Sequence, residues 1–272
     1  MTIKKSTALL KGARFAVGQL RKWQGTAMVF LHAETFGDRV RTFLTIFALA
    51  LPLSSDSAAA QAGPGAIEAG TTVVARNKVT GLRGQTQREL AVGDRVHRDE
   101  LMRTGKEAQA EFKLDDDTRL ALGPNAELRL DAFAIGGGSD PSSIAVRLLK
   151  GTLRFLTGRQ PSQSYEIETP SATIGVRGTI FDLYVSAEGE TFVLMHQGLV
   201  EVCTKGRVSC RKHRAVGRIV QVTQSGMVSA PNKWSAENAG AVTAGQAFPF
   251  VGRRLKIDPV PRMTHDAITH RK

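Results

Sequence analysis

This chain of 272 residues has little of several things, and each shortage removes a class of protein. It holds only two cysteines, Cys203 and Cys210. With His213 as their sole histidine neighbour, they fall short of the four ligands a structural zinc site takes. Its six histidines (His32, His97, His196, His213, His265, His270) are scattered, and none stands in a His-x-x-x-His or His-Glu-x-x-His spacing. No metal or cofactor is expected. Serines and threonines fall at turns, where local hydrogen bonding accounts for them, and none is spaced as a nucleophile from a base. Helical periodicity is almost absent, and no strict repeat period is found. No apolar run reaches the roughly 20 residues that cross a bilayer.

The longest such run, residues 42–53, follows Arg39 and Arg41 and precedes small or polar residues 54–62. That order is the layout of a secretory signal. Cleavage is expected after Ala60 or after Ala62, the second being preferred. A start at Met28 instead of Met1 would give the leader a conventional length. The competing reading is an uncleaved signal that anchors the chain to the membrane. Export to the periplasm is the expectation either way, with residues 1–62 as N-terminal extension and signal.

The formal charge of +12 invites a nucleic-acid reading until the charge is located. Residues 63–210 hold 18 Lys and Arg against 19 Asp and Glu, whereas residues 211–272 hold 11 against 3. A balanced body with basic ends is not a stripe that tracks a phosphate backbone, so no nucleic-acid partner is expected.

What the chain does have is period-two alternation over residues 71–228. Ala108, Ala110, Phe112 and Leu114 alternate with polar residues, Asp115, Asp116 and Asp117 turn the chain, and Leu120 and Leu122 resume. Strands are also expected at 191–196, 200–204, 207–210 and 219–223, with turns at Gly189, Gln197-Gly198, Gly206 and Gly226, and the Gly-rich loop 136–143 is a connection. Short strands with a turn about every ten residues predict an all-β domain of bent, stacked strands, either β-solenoid-like or jelly-roll and sandwich-like.

Residues 169–181 (Thr-Pro-Ser-Ala-Thr-Ile-Gly-Val-Arg-Gly-Thr-Ile-Phe) interrupt that alternation on purpose. Pro170 fixes one φ angle, and Gly175 and Gly178 allow backbone angles or approaches that a Cβ blocks. The stretch reads as a structural corner in which Thr169, Thr179 and Phe181 pack. Arg177 is expected to tuck its guanidinium against carbonyls of a neighbouring strand, the alternative being a ligand-binding cation. Cys203 and Cys210 flank a hairpin whose turn is expected at Gly206-Arg207 as type II′, which pairs them and permits a disulfide in an oxidising compartment. That register puts them at a hydrogen-bonded site, where Cα atoms lie further apart, so a bulge is expected.

Residues 229–272 change character, first rich in Ala, Gly, Ser and Asn, then in Pro and Arg. They read as a linker and a basic, largely extended, irregular tail, solvated because it offers little apolar surface. The competing reading is a docking segment. Phe248, Phe250, Val251, Leu255 and Ile257 could add to a partner or touch an anionic membrane surface.

Taken in order, these residues resemble the FecR domain of bacterial envelope proteins. Val92-Gly93-Asp94 with Leu101 and Thr104-Gly105 are similar to its opening, residues 108–122 to its central hairpin, and residues 148–155 around Gly151 to a further strand. Thr169-Pro170-Ala172 followed by Val176-Arg177-Gly178-Thr179-Phe181 is similar to its most distinctive motif, and Gly198 with Val200 and Val202 to its closing strand. The resemblance covers residues 71–228. It implies a non-enzymatic sensor, scaffold or interaction module of the envelope, with a protein partner there, in signal transduction. The iron-dicitrate regulator that names the family has a cytoplasmic anti-sigma segment. The 41 residues before the apolar run are too few for it, so anti-sigma activity is not expected here. The alternative is a polysaccharide-binding or polysaccharide-active protein. The latter needs paired carboxylates, for which Asp115, Asp116 and Asp117 are the dense acids, though aspartates in that position favour a turn.

Overall fold

The computed structural model describes residues 67–131, 145–158, 165–235, 241–259 and 263–269. The readings made for the signal region, including Met28, Ala60 and Ala62, and for loop 136–143 lie outside the described residues. Among those residues there are fourteen strands and two single-turn helices. The strands are β1 (Glu68–Arg76), β2 (Val79–Arg83), β3 (Thr86–Glu89), β4 (Arg95–His97), β5 (Leu101–Thr104), β6 (Gln109–Leu114), β7 (Arg119–Leu122), β8 (Glu127–Asp131), β9 (Ala145–Leu156), β10 (Tyr165–Glu168), β11 (Ala172–Val185), β12 (Thr191–Thr204), β13 (Cys210–His213) and β14 (Ile219–Val222). The helices are α1 (Ala244–Ala247) and α2 (His265–Ile268). The all-β expectation is met.

Three long strands, β9, β11 and β12, organise the molecule because each changes partners part way along. In β11, Thr173 to Val176 pair with β10, whereas Ile180 to Val185 pair with β9. In β9 the half before Gly151 pairs with β8, and the half after it pairs with β7 and β11. In β12 the half after Gly198 pairs with β13, and the half before it pairs with β14. The result is two layers joined by bent strands. One layer contains β13, β12, β11, β10, β9, β8, β5, β2 and β3, and the other contains β14, β12, β11, β9, β7, β6, β1 and β4. The expected turn at Gln197-Gly198 is therefore a bend within one strand.

Glycine makes the bend feasible where β11 and β12 cross the corner together. Gly178 and Gly198 have φ of +65° and +94°, a region that costs an L side chain dearly. A Cβ on Gly198 would also stand 2.6 Å from the Gly178 carbonyl oxygen. The two backbones meet there without room for a side chain.

Between the layers lies the main core, drawn from both. The Phe155 ring stacks on Phe181 with centroids 5.5 Å apart and meets the Tyr165 ring edge-on at the same separation. Alternation does the sorting. On β9 and β11, Leu153, Phe155, Phe181 and Leu183 face this core, which leaves Thr152, Arg154, Asp182 and Tyr184 on the opposite face of their layer.

That opposite face is covered by the chain's own C-terminal segment. Phe248, Phe250, Val251, Leu255 and Ile257 are all buried. Phe248 and Val251 join Phe192, Leu194, Ile219, Trp234 and Ile268 in one cluster, while Phe250, Leu255 and Ile257 join Ala121 and Leu156 in another. The tail is mostly irregular, as expected, but it is packed and not solvated. Outward-facing apolar residues on β7, β9 and β12 supply the surface that its own composition lacks.

Candidate functional site

Beneath the C-terminal segment lies a cluster of buried ionisable side chains. Arg154 on β9 and Asp182 on β11 occupy directly opposed positions. Arg154 donates to the carboxylate through Nε at 2.6 Å and Nη2 at 2.8 Å. His196 comes from β12, where a register shift sets Phe181 against Met195 and Ile180 against Gln197, leaving His196 as the extra residue of a bulge. Bulges re-aim side chains. His196 Nε2 lies 2.9 Å from Arg154 Nη2 and 3.1 Å from Asp182 Oδ2.

The C-terminal segment closes the cluster. Asp258 Oδ2 approaches Arg154 Nη1 at 3.7 Å, and the Phe250 ring lies 5.8 Å from the guanidinium carbon. Further polar contacts fasten the same segment. Glu111 on β6 accepts from the Ile257 amide at 2.9 Å, Arg119 on β7 donates to the Ile257 carbonyl at 2.9 Å, and Thr152 donates to the Ala247 carbonyl at 2.8 Å. Trp234 and Phe248 pack edge-to-face at 5.4 Å, with Tyr184 and Phe192 around them.

Burial alone would push the Asp182 carboxyl up. The Arg154 guanidinium and then His196 overcome it and hold the acid well below its ordinary range. Burial likewise disfavours the charged Arg154, but Asp182 and then Asp258 outweigh it and raise its pKa. Arg154, Asp182, His196 and Asp258 are at most 5% exposed, so no substrate reaches them. Among the described residues the buried His196 Nδ1 has no hydrogen-bond partner, and no hydroxyl or thiol of theirs engages it as a nucleophile engages a base. The arrangement joins three strands and the C-terminal segment electrostatically.

Access exists beside it. A groove of about 550 Å³ opens where α1 meets the rim of the layer, lined among others by Lys106, Asn125, Lys150, Tyr184 and Pro249. Its volume lies in the range of small-ligand sites. Lys150 is held at 3.1 Å by Glu127, whereas Lys106 is exposed and forms no ion pair with the described residues. Gln246 is fixed as N3 of a capping box with Thr243, which sets the groove's outer wall.

The residues singled out from the sequence lie elsewhere, along the β11–β12 corner. Thr169 Oγ1 accepts from the Ala172 amide at 2.9 Å and lies 2.7 Å from Thr191 Oγ1, next to Pro170. Gly175 faces Glu201 across the β11–β12 ladder. Thr179 donates its amide to Thr157 Oγ1 at 2.9 Å, and Phe181 enters the core. Arg177 differs from the expectation of a tucked guanidinium. It is exposed and makes no side-chain hydrogen bond or ion pair with the described residues, because at its position in β11 the side chain points away from both layers' cores.

Cys203 and Cys210 pair across β12 and β13 and form a disulfide. Their Cα atoms are only 4.0 Å apart, the spacing of a non-hydrogen-bonded pair, so no bulge is needed. The turn explains the changed parity. The Arg207 amide bonds the Thr204 carbonyl at 2.8 Å, Gly206 and Arg207 both take positive φ, and the ladder closes with the Thr204 amide on the Ser209 carbonyl at 2.8 Å. The loop is longer than the expected two residues.

The three aspartates of the β6–β7 turn are each engaged. Asp116 accepts from the Thr118 amide at 2.9 Å and from the Tyr165 hydroxyl at 2.5 Å, Asp115 accepts from Arg95 at 2.8 Å, and Asp117 pairs with Lys113 at 2.8 Å. Arg154 and Asp182, by contrast, were not legible as a pair. Each is a lone charge inside an apolar strand, Leu-Arg-Phe-Leu and Phe-Asp-Leu, and opposite charges at outward positions of two core strands are the signal that could have linked them.

The FecR protein family matches residues 100–201, a stretch that starts just before β5, ends within β12 and contains Arg154, Asp182 and His196. The match covers 102 of the chain's 272 residues. Two crystal structures of a Parabacteroides distasonis protein described as an anti-sigma factor are similar at 18% and 19% identity, with TM-scores of 0.40 and 0.39. Each alignment covers 47% of this chain and 57% of that chain, so this chain spans little more than half the length of those proteins. No curated protein matches the sequence.

Proposed function

We propose that this is an exported, non-enzymatic FecR-domain protein of the bacterial envelope, acting as a sensor, scaffold or interaction module in signal transduction through an envelope protein partner. The observation that carries the reading is the FecR match over β5 to β12, in which the ionisable cluster is sealed by the chain's own C-terminal segment. Charges so enclosed serve packing, and recognition falls to the surface. Photocrosslinking from position 106 at the groove's rim, in cells, tests it. A defined crosslinked envelope protein is expected, and a chain that stays in the cytoplasm with Arg39 retained at its N-terminus would refute export.

A second reading, a polysaccharide-binding protein, is favoured by the groove alone. Tyr184 offers an aromatic wall, and Asn125 and Lys106 offer polar groups at its mouth. Binding across a glycan panel that Tyr184→Ala abolishes would support it. Contact of the basic tail with an anionic membrane, if made, rests on the exposed Arg253, Arg254 and Lys256, because the tail's apolar residues are committed to the fold.

A further inference from the structure

Among the described residues, a strongly one-sided charge lies on the disulfide-closed hairpin. From residue 202 to residue 236 there is no Asp or Glu, against seven Lys and Arg. Five of these, Lys205, Arg207, Arg211, Lys212 and Arg214, are exposed on or beside the β12–β13 hairpin. At its tip, between cations, Val208 is 91% exposed. Two acids face the hairpin from neighbouring strands. Glu166 pairs with Arg207, and Glu201 stands opposite Lys212, which leaves Lys205, Arg211 and Arg214 without an acidic partner among the described residues.

A second exposed apolar side chain belongs to the same end of the molecule. The Lys205 amide bonds the Ser171 carbonyl at 2.9 Å, and Ser171 Oγ donates to the Val222 carbonyl at 3.1 Å, so the hairpin and the turn after β14 flank one corner. That turn carries Met227, 63% exposed. A cationic edge strand by itself needs only to discourage strand pairing, and β13 is such an edge. An apolar tip beyond the edge adds nothing to that task.

We propose that the hairpin around the Cys203–Cys210 disulfide is a docking element for an anionic phospholipid surface. Val208 enters the interfacial layer with Met227 beside it, while Lys205, Arg211 and Arg214 meet lipid phosphates. Lipid binding of this kind combines a short apolar insertion with a basic patch, neither being sufficient alone. The disulfide holds the tip and its cations in place before docking, which lowers the ordering cost of the encounter. The proposal rests on the envelope reading only for its compartment, and a test with purified protein separates the two.

The full chain is sedimented with vesicles of phosphatidylglycerol and phosphatidylcholine, or of phosphatidylcholine alone, at low salt. Recovery is expected only with the anionic vesicles and falls with added salt. Each surface cation is worth about fivefold in partition, so the double variant Lys205→Glu, Arg211→Glu is expected to lose at least tenfold, and Val208→Asp several-fold, both remaining folded by circular dichroism. Equal recovery on neutral and anionic vesicles overturns the proposal, as does undiminished binding by the folded variants. Loss of binding on replacing Arg253, Arg254 and Lys256 with Ser, the hairpin being intact, would move the contact to the tail. Binding to polyglutamate without binding to vesicles would make the occupant an acidic protein surface and also overturn it.

Discussion

Arg154 and Asp182 face each other across β9 and β11 through two hydrogen bonds of 2.6 and 2.8 Å, both side chains wholly enclosed. Breaking one member leaves the other charged and buried, which costs about 3–5 kcal/mol. Asp182→Asn is therefore expected to lower the urea midpoint severely. The double variant Arg154→Leu, Asp182→Leu is expected to recover part of the loss, since it also takes the Arg154 contact from buried Asp258, and a single variant as stable as the parent would show that the pair is not sealed.

The C-terminal segment is expected to behave as core. Phe248 is fully buried against Trp234, so Phe248→Ala should cost about 3–5 kcal/mol by denaturant unfolding. An unchanged midpoint would mean that the segment leaves the sheet in solution.

At the β11–β12 corner two neighbouring substitutions should diverge. Arg177→Ala removes an exposed side chain without a partner among the described residues and should change stability by no more than about 0.5 kcal/mol. Gly198→Ala adds a Cβ 2.6 Å from a carbonyl oxygen at a φ of +94° and should cost several times that. Thermal melts of both variants decide it, and equal melting temperatures would contradict the close approach of the strands.

The chain's two tyrosines should resist ionisation. Burial, then the hydrogen bond to Asp116, pushes Tyr165 up to about 12, and burial, then Glu188, raises Tyr184. A spectroscopic pH titration should show little phenolate near pH 10 and a rise only above it. Half the phenolate signal developing at pH 10 would rule this out.

His213 gives the fold a dependence on mild acid. Burial lowers its pKa, although its Nε2 bonds the Arg218 carbonyl at 3.1 Å and so partly offsets the shift. The unfolded chain takes up a proton near pH 6.5 while the native site resists, so stability is full above that pH and falls as acidity increases below it, down to the depressed native value. Melting temperatures at pH 7.5 and 5.5 should differ, and less so in His213→Gln. A parallel pH response in that variant would assign the effect elsewhere.

Much of the ladder could be read from the residues. The alternation of Phe112, Leu114, Leu120 and Leu122 about an aspartate turn placed β6 and β7, and the spacing of Cys203 and Cys210 placed their disulfide. What alternation cannot show is which strand lies on the far side of a bend. The change of partner at Gly151, Gly178 and Gly198 depends on contacts between residues distant in sequence, and a glycine at a bend and a glycine at a turn look alike. The covered face was hidden for a related reason. Phe248, Phe250 and Ile257 sit among prolines and cations without period, so their burial follows from the apolar surface awaiting them on β7, β9 and β12 and not from their own pattern.

The bond from Glu111 to the Ile257 amide joins residues 146 apart in sequence, and the bond from Arg119 to the Ile257 carbonyl joins residues 138 apart. A nascent chain that stops short of residue 257 has Glu111 and the Arg154–Asp182 pair on an open surface, without the Ile257 amide and Asp258 carboxylate that meet them in the finished fold. Closure must therefore await synthesis of Ile257 and Asp258, and the long loop it completes makes it slow. Until those residues arrive, the polar groups of β6, β7 and β9 that they engage stay open to water.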